Sequence, residues 1–279
     1  MKIRNQKSIF VVVLLTLSVS FSDCKVANGI TSALMPDISE DVKMGQQTDT
    51  EIRSKSAEFP ILSESANAEV YSYVRGITRK ILNSGNVTHA KDFPWEVKII
   101  NDPKTLNAFC TPGGYIYVYT GLIKYLDSED QLAGVMGHEI GHADKRHSMR
   151  QMVQLYGVQI VAAIGAGVAT QGKSEGTQRT AQTAAQIASA LVGLRFSREH
   201  ETEADNMSVN YLCGTEYNPA GAAGFFKKIG GAGSPPEFLS THPNPGNRVE
   251  NIEAQAKTKT CSGNATNQTQ YQRIKSLLK

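Results

Sequence analysis

Five consecutive residues near the middle of the chain, His138-Glu139-Ile140-Gly141-His142, have the types and spacing of a metal-dependent hydrolase. The surrounding sequence predicts an α-helix, on which residues four positions apart share a face. Both imidazoles can therefore bind one metal ion, while Glu139 faces the coordination position that the protein leaves open. Chance produces this pattern in on the order of one chain in a hundred with so few histidines, so a third ligand is needed to strengthen the prediction.

Catalytic zinc commonly has two His ligands, one carboxylate and an open fourth position. The search for the carboxylate leads to a later predicted helix, residues 197–212. Glu201 lies 59 residues after the second motif histidine, and Asp205 follows Glu201 by one helical turn on the same face. Glu199 and Glu203 are the competing candidates, and they point away from the metal if Glu201 points toward it.

Together, the motif and residues 197–205 resemble the gluzincin family of zinc metallopeptidases that includes HtpX and the CAAX prenyl endopeptidases. Four other segments agree with that family in order and spacing: Asn107-Ala108-Phe109, residues 112–118, Thr120-Gly121-Leu122, and Thr241-His242-Pro243 with Arg248. The sequence lacks the several spanning helices of the integral-membrane members. It is therefore most similar to the soluble subgroup of exported proteins and lipoproteins.

This resemblance implies a role for each polar residue of the site. Glu201 becomes the third ligand of one zinc per chain, beside His138 and His142, and Asp205 holds a ligand imidazole, as carboxylates often do around bound metals. Two alternatives follow for His242: it stabilises the developing oxyanion, or it occludes the metal in a resting state. Arg248 could share the electrostatic role.

Three other reactive side chains are interpreted as structural. His147 does not have the spacing of the third histidine in HExxHxxGxxH, and it is predicted to be a surface or capping residue. His200 lies on a different helix face from Glu201 and is expected to be solvated. Cys110, beside a predicted turn, is expected to be a small buried thiol.

The elements that position the motif can also be predicted. Periodicity and turn residues predict helices over residues 37–50, 67–83 and 197–212, strands over 95–100 and 115–119, and a turn at 112–114. Ser128 and Gln131 form a capping box that starts the helix of the motif. The fold class is therefore α+β and mostly helical, a gluzincin-type protease with a small β-sheet.

Two Ala/Gly-rich apolar stretches, residues 157–169 and 181–194, flank the polar loop 171–180. Each falls short of the roughly 18 apolar residues that a spanning helix needs. Small residues allow close helix packing in water or in lipid. A packed helical hairpin is favoured, and a membrane-dipping element is the alternative.

The start of the sequence predicts export, because a basic segment at residues 1–7 precedes a short apolar segment at 9–19. Cys24 follows at the position where bacterial lipoproteins carry a lipid, so it is either a lipid anchor or a free or disulfide-paired cysteine of a secreted protein. The predicted organisation is a signal peptide (1–23), an N-terminal segment (24–58), a zinc metalloprotease domain (59–260) and a C-terminal tail (261–279).

Charge and cysteine content exclude other classes. The formal charge of +3 falls to +1 without residues 1–23, which leaves no basic surplus for binding nucleic acid. Four cysteines are too few for a disulfide-rich scaffold. Cys213 and Cys261 could pair in an oxidising compartment, which would leave Cys110 unpaired.

The predicted reaction is hydrolysis of peptide bonds, with Glu139 as the general base. An extended substrate is expected to pair along an edge strand formed by Tyr115, Ile116, Tyr117, Val118 and Tyr119, beside Asn107. Backbone pairing selects little for sequence, which favours unfolded or misassembled polypeptides of the bacterial envelope. The alternative is a largely latent peptide-binding chaperone or assembly factor.

Overall fold

The structure, a computed structural model, describes residues 35–157, 186, 190–230, 237–244 and 246–278. In chain order, the main elements are α1 (Ile38–Ser54), α2 (Ala68–Leu82), β1 (Glu96–Ile100), β2 (Ala108–Thr111), β3 (Tyr115–Tyr119), α3 (Thr120–Tyr125), α4 (Glu129–Asp144), α5 (His147–Tyr156), α6 (Arg198–Cys213), α7 (Gly221–Gly230), α8 (Phe238–Thr241), α9 (Arg248–Thr258) and α10 (Gln268–Leu277). This confirms the predicted α+β class, mostly helical with a small sheet.

The three strands form one sheet in the order β1-β3-β2. β1 runs parallel to β3, with Glu96 opposite Tyr115, and β2 runs antiparallel to it, with Ala108 opposite Val118. Backbone groups on both sides of β3 are thus hydrogen-bonded within the sheet. The prediction that residues 115–119 form an edge strand is wrong, and the strand β2 next to it was not predicted.

Helix α4 carries the HExxH motif and begins at the predicted place, with Ser128 as its N-cap residue. The predicted capping box does not form there. The Ser128 hydroxyl bonds Asp130, and Gln131 Oε1 accepts a hydrogen bond from the backbone N–H of Asp127 at 3.0 Å. Polar side chains still satisfy groups at the start of the helix, but the pairing differs from the expected one.

The apolar face of α2 packs on the main core, as its periodicity predicts. Val70, Val74, Ile77 and Ile81 are each at most 1% exposed, and they join side chains from α4, α6, α7 and the sheet. Burial of each such side chain stabilises the fold by about 1.5–3 kcal/mol. The core therefore forms the rigid support beneath α4.

Glycines on α4 allow neighbouring helices to approach it closely. A Cβ atom added to Gly134 would lie 2.1 Å from the backbone nitrogen of Ala222 in α7, and one added to Gly141 would lie 3.2 Å from the carbonyl oxygen of Ala204 in α6. Any larger residue at the first of these positions would force the helices apart. The close packing of α4 and α6 brings the two predicted ligand-bearing helices together.

The N-terminal helix α1 is tied to the end of α4 by a buried ion pair. Arg146 has a left-handed backbone with φ of 55°, just after α4 ends. Its Nη2 donates to Asp41 Oδ2 at 2.6 Å and to the carbonyl oxygen of Pro36 at 2.7 Å. Asp41 is 1% exposed, so the pair lies inside the fold and fixes the direction of the chain after the motif.

The C-terminal part of the chain also packs on the core. A disulfide joins Cys213, at the end of α6, to Cys261, and Cys110 is buried as a free thiol, as the sequence predicts. The segment interpreted as a C-terminal tail contains α10, whose Tyr271 and Ile274 are at most 1% exposed. The tail is therefore part of the folded structure.

Several predicted segments lie outside the described residues. These are the signal peptide with Cys24 and most of the predicted hairpin between residues 157 and 194. Across the part of the chain that the structure describes, no helix combines the length and apolar character needed to cross a membrane.

Replacing Gly134 with Ala should destabilise the protein, because the added methyl group meets the backbone of α7. Overpacking of this kind costs about 1–3 kcal/mol. The control is Gly76→Ala in α2, where the nearest atom to an added Cβ lies 3.9 Å away, and where Ala should stabilise the helix by about 0.5–1 kcal/mol. Urea unfolding followed by circular dichroism measures both, and equal stability of the two variants would contradict the prediction.

Candidate metal centre

The two motif histidines meet on the inner face of α4. Their Nε2 atoms lie 3.0 Å apart, and both residues are at most 1% exposed. Helical geometry places them on one face because they are four residues apart. The rings are nearly perpendicular, with centroids 4.6 Å apart, so both Nε2 atoms point to one position from different directions.

Glu201 reaches the same position from α6. Its Oε2 lies 3.4 Å from His138 Nε2, and its Oε1 lies 3.4 Å from His142 Nε2. The N-cap residue of α6 is Ser197, four residues earlier, whose hydroxyl accepts a hydrogen bond from the N–H of His200. Glu201 is fully buried, whereas Glu199 is exposed, so only one of these two candidates faces the histidines.

Asp205 lies one turn further along α6, behind His138. Its Oδ1 is 2.8 Å from His138 Nδ1, the ring nitrogen that points away from the cluster. Arg248, the first residue of α9, donates to both carboxylate oxygens of Asp205 at 2.6 and 2.7 Å. Arg248 Nη2 also lies 3.2 Å from Glu201 Oε2. The arginine therefore contacts the carboxylates of both Asp205 and Glu201.

His242 completes the cluster from the segment after α8. Its Nδ1 lies 3.1 Å from Glu201 Oε1 and 3.4 Å from His138 Nε2. Its other nitrogen, Nε2, faces Glu139 Oε1 at 3.6 Å. The ring stacks on Phe238 with centroids 4.2 Å apart and is 1% exposed. One imidazole thus contacts both the cluster and the carboxylate of the motif.

The donor set fits a zinc ion. One ligand atom from each of His138, His142, Glu201 and His242 lies within 4.8 Å of the others, and a tetrahedral zinc with bonds of about 2.1 Å spaces its ligands by about 3.4 Å. Three buried atoms here, Glu139 Oε1, Glu201 Oε2 and His242 Nε2, make no hydrogen bond to the described residues. Such atoms cost about 1–3 kcal/mol each, which a bound metal ion and its ligands would relieve.

Burial and neighbouring charges both shift the pKa values of the residues in the site, and at Glu201 their effects oppose each other. Burial lowers the pKa of His142 well below its ordinary value, which favours the neutral imidazole that a metal needs. Burial opposes the charge of Glu201, but His242, His138 and His142 together hold the pKa of Glu201 far below its usual range. The pKa of Glu139 is raised, mainly by burial. The centre therefore combines an anionic ligand with a carboxylate that accepts protons readily.

His147 is the clearest error of the sequence interpretation. It is fully buried rather than on the surface, and its Nδ1 lies 2.9 Å from His142 Nδ1. Its Nε2 lies 3.0 Å from Glu203 Oε2. His200 is also not freely solvated, since its ring stacks on His147 with centroids 4.2 Å apart. The chain reverses at Arg146, and no local pattern in the sequence predicts that this turn directs His147 back to the motif.

The predicted substrate-binding residues are not all near the metal cluster. β2, rather than β3, packs against α4. β2 also carries Cys110, whose pKa is raised by burial and, to a lesser extent, by the charge of Glu139. Asn107 precedes β2 and its carbonyl oxygen accepts a hydrogen bond from the backbone of Tyr119 at 3.1 Å. β2 is therefore both an edge strand of the described sheet and the strand that packs against the motif helix.

Known proteins resemble this chain over most of the described fold. The sequence pattern of peptidase family M48 matches residues 69–256. The mitochondrial metalloendopeptidase OMA1 of Arabidopsis thaliana is 33% identical over 171 residues, which cover 61% of this chain and 33% of that protein. The beta-barrel assembly-enhancing protease of Yersinia pestis is 25% identical over 236 residues, covering 82% of this chain and 46% of that protein.

A third relative, the metalloprotease YcaL of Escherichia coli, is 29% identical over 170 residues, covering 60% of this chain and 64% of that protein. The chain thus spans between one third and two thirds of the length of these three relatives. The matches confirm the metallopeptidase class and the zinc cofactor that the sequence predicts. Because the family pattern covers more than half of its length and includes the whole of α4 and α6, this chain belongs to peptidase family M48.

Proposed function

We propose that this chain is a zinc metalloendopeptidase that cleaves unfolded or misassembled polypeptides in the bacterial cell envelope. In this proposal His138, His142 and Glu201 hold one zinc ion per chain. The observation that carries the proposal is the meeting of these three side chains, from two helices, at one fully buried position. A closed structural zinc site would instead use four protein ligands and is typically rich in Cys.

Glu139 is the proposed general base. When bound, zinc lowers the pKa of a water molecule and polarises the scissile carbonyl group. Glu139 takes the proton from that water and returns it to the leaving amine, a role that suits a carboxylate whose pKa is raised by burial. Its place directly after His138 on α4 puts it beside the cluster without making it a ligand.

Asp205 and Arg248 are proposed to position the ligands. Asp205 accepts a hydrogen bond from the Nδ1–H group of His138 and so directs Nε2 toward the metal. Arg248 uses Nε and Nη2 to hold Asp205, and its guanidinium lies 3.8 Å from the ring centroid of Phe226. This geometry supports a positioning role for Arg248 in place of the oxyanion-stabilising role expected from the sequence.

The substrate is proposed to pair along the outer edge of β2, in place of the strand residues 115–119. Over the described residues, no other strand pairs with that edge, and β2 is the strand nearest the motif. Main-chain hydrogen bonds along a strand edge supply affinity that does not depend on side chains. Unfolded segments, whose backbone is free to pair, are therefore the favoured substrates.

Two observations support an envelope location. Basic residues followed by a short apolar segment at 9–19 are typical of an export signal, and the Cys213–Cys261 disulfide is typical of oxidising compartments. One relative carries a name that refers to β-barrel assembly and another carries a mitochondrial name. For this chain we propose the periplasm or a membrane anchor through lipidated Cys24.

His242 is proposed to occlude the metal in a resting state, the second of the alternatives raised by the sequence. A group that stabilises the oxyanion would leave room for the substrate carbonyl beside it. His242 instead contacts Glu201 through Nδ1 and faces Glu139 through Nε2, so one ring covers the fourth coordination position and the general base. Activity then requires that His242 move away.

Replacing Glu139 with Gln should abolish cleavage of unfolded casein while leaving one zinc per chain. Loss of general-base catalysis lowers the rate by about 10²–10⁴-fold. The matched control is Glu199→Gln, an exposed carboxylate on α6, which should cleave at the wild-type rate. Elemental analysis and casein cleavage measure both properties, and loss of zinc from the Glu139 variant would show that this residue is structural.

Replacing His242 with Ala should increase casein cleavage. A hydrogen bond to a charged group contributes about 1.5–3 kcal/mol, so its loss shifts the ratio of closed to open sites by roughly ten- to a hundredfold. The control is His89→Ala, a partly exposed histidine that is bonded to Asp92 rather than to the cluster. A lower rate in the His242 variant would support the oxyanion role and contradict occlusion.

Replacing Cys24 with Ser should move the protein from the membrane fraction to the soluble periplasmic fraction of the bacterial cell. Lipidation requires the Cys24 thiol, and the attached lipid would be the anchor that holds the protein at the membrane. Labelled palmitate should enter the wild-type protein and not the variant. A wild-type protein that takes up no label would contradict lipidation.

A further inference from the structure

A second buried imidazole lies behind the ligand His142. Nδ1 of His147 is 2.9 Å from Nδ1 of His142, and Nε2 of His147 is 3.0 Å from Oε2 of Glu203. Both imidazoles are at most 1% exposed, while Glu203 is about half-buried. His147 is absent from the group of four residues whose ligand atoms converge, so it faces the back of His142 rather than the metal position.

The direction of these hydrogen bonds follows from the chemistry of imidazole. A His142 that binds zinc through Nε2 carries its proton on Nδ1, and this N–H must donate. His147 Nδ1 is then the acceptor, so the proton of a neutral His147 lies on Nε2. That N–H donates in turn to the carboxylate of Glu203, which can only accept when ionised. One carboxylate thereby selects the tautomer of both rings.

The other ligand histidine has a shorter version of the same arrangement. Asp205 accepts directly from His138 Nδ1, whereas Glu203 acts on His142 through one intervening ring. Both carboxylates lie on α6, two residues apart. One helix thus supplies the ligand Glu201, the carboxylate that contacts His138 and the carboxylate that contacts His147.

Packing holds the second ring in place. His147 stacks on His200 at an interplanar angle of 12°, and His142 stacks on Phe196 with centroids 4.0 Å apart. On the solvent side, Arg150 Nη1 lies 3.6 Å from Glu203 Oε2 and neutralises its charge. These contacts restrict the rotation of both imidazoles, which keeps the chain of hydrogen bonds aligned.

We propose that His147 and Glu203 are positioning residues for the metal ligand His142, with Glu203 acting through His147. This inference rests on the proposed function, in which His142 holds zinc. Outer partners of metal-bound histidines fix the ring and raise its basicity, and their removal typically weakens metal binding by 10–100-fold. The arrangement should therefore control the affinity for zinc as well as the rate of the loaded enzyme.

The test measures the dissociation constant for zinc by competition with a chromophoric chelator. His147→Leu should raise it by about 10–100-fold, and Glu203→Gln should raise it by a smaller factor. Because Glu203 acts through His147, adding Glu203→Gln to His147→Leu should cause no further change. The control Glu199→Gln, an exposed carboxylate on the same helix, should bind zinc as the wild type does. Additive effects of the two substitutions would overturn the proposed chain of contacts.

A conservative variant separates positioning from packing. In His147→Asn, the amide oxygen can take the place of Nδ1 and accept from His142, but the side chain is too short to reach Glu203. Zinc affinity should be partly rescued relative to His147→Leu, and it should no longer respond to Glu203→Gln. Equal affinities of the Asn and Leu variants would show that the hydrogen bond to His142 is unimportant.

A spectroscopic measurement supplies a readout that is independent of activity. In the zinc-loaded wild type, the Nδ1 proton of His142 should give a downfield proton NMR signal because it is hydrogen-bonded, and burial should keep it from exchanging rapidly with water. In protein labelled with ¹⁵N-histidine, this signal should show coupling to nitrogen. His147→Leu should abolish this signal. Its persistence at the same position would overturn the inference.

The outcomes distinguish this inference from the proposed function. If the wild-type chain binds no zinc, the proposed function fails. If the wild type binds zinc and His147→Leu binds it equally tightly, only the positioning role fails. Glu203 is partly exposed, so Glu203→Gln should fold even if substitutions at the buried His147 do not, and zinc binding as tight as in the wild type would then be evidence against the role of Glu203.

Discussion

Burying the carboxylate of Glu201 is the constraint on which the centre depends. The side chain is completely removed from solvent, and an unpaired buried charge costs several kcal/mol. A positive charge must therefore lie beside it. Arg248 supplies one such charge, since its Nη2 lies 3.2 Å from Glu201 Oε2. Burial and the charge of Arg248 would lower the pKa of His138, but hydrogen bonds with Asp205 and Glu201 raise it to about 9, so a proton on His138 supplies a second charge without metal. Zinc binding must displace this proton, so a cation lies at this position beside Glu201 both with and without the metal.

Helix packing determines whether that carboxylate can reach the histidines at all. The close approach of α4 and α6 depends on small residues, including Gly141 opposite Ala204. Once the helices are in contact, the spacing along α6 determines which histidine each carboxylate meets. Glu201 and Asp205 face the motif histidines, while Glu203 faces His147. The contact between α4 and α6 therefore brings the residues of the centre together, and neither the sheet nor the disulfide contributes a side chain to the cluster of four.

Local patterns in the sequence predicted most of what local forces determine. The buried face of α2 and the shared face of Glu201 and Asp205 follow from helical periodicity. The start of α4 at Ser128 was predicted correctly, although the capping box on which that prediction depended does not form. What the sequence could not supply depends on contacts between distant segments. The order of the strands is set by pairing across the sheet, and the burial of His147 is set by a turn at Arg146 that an ion pair with Asp41 holds. Neither contact has a signature in the neighbouring residues.

The position of His242 links occlusion to the choice of substrate. In the proposed function, its ring competes with a substrate for the space between the cluster and Glu139, and stacking on Phe238 stabilises the closed arrangement. In the proposed function, the free energy that displaces it comes from the substrate's own pairing along β2. Each backbone hydrogen bond contributes only about 0.5–1.5 kcal/mol, so several must form together. An extended segment of several residues meets this requirement, whereas a folded chain, whose backbone is already paired, does not.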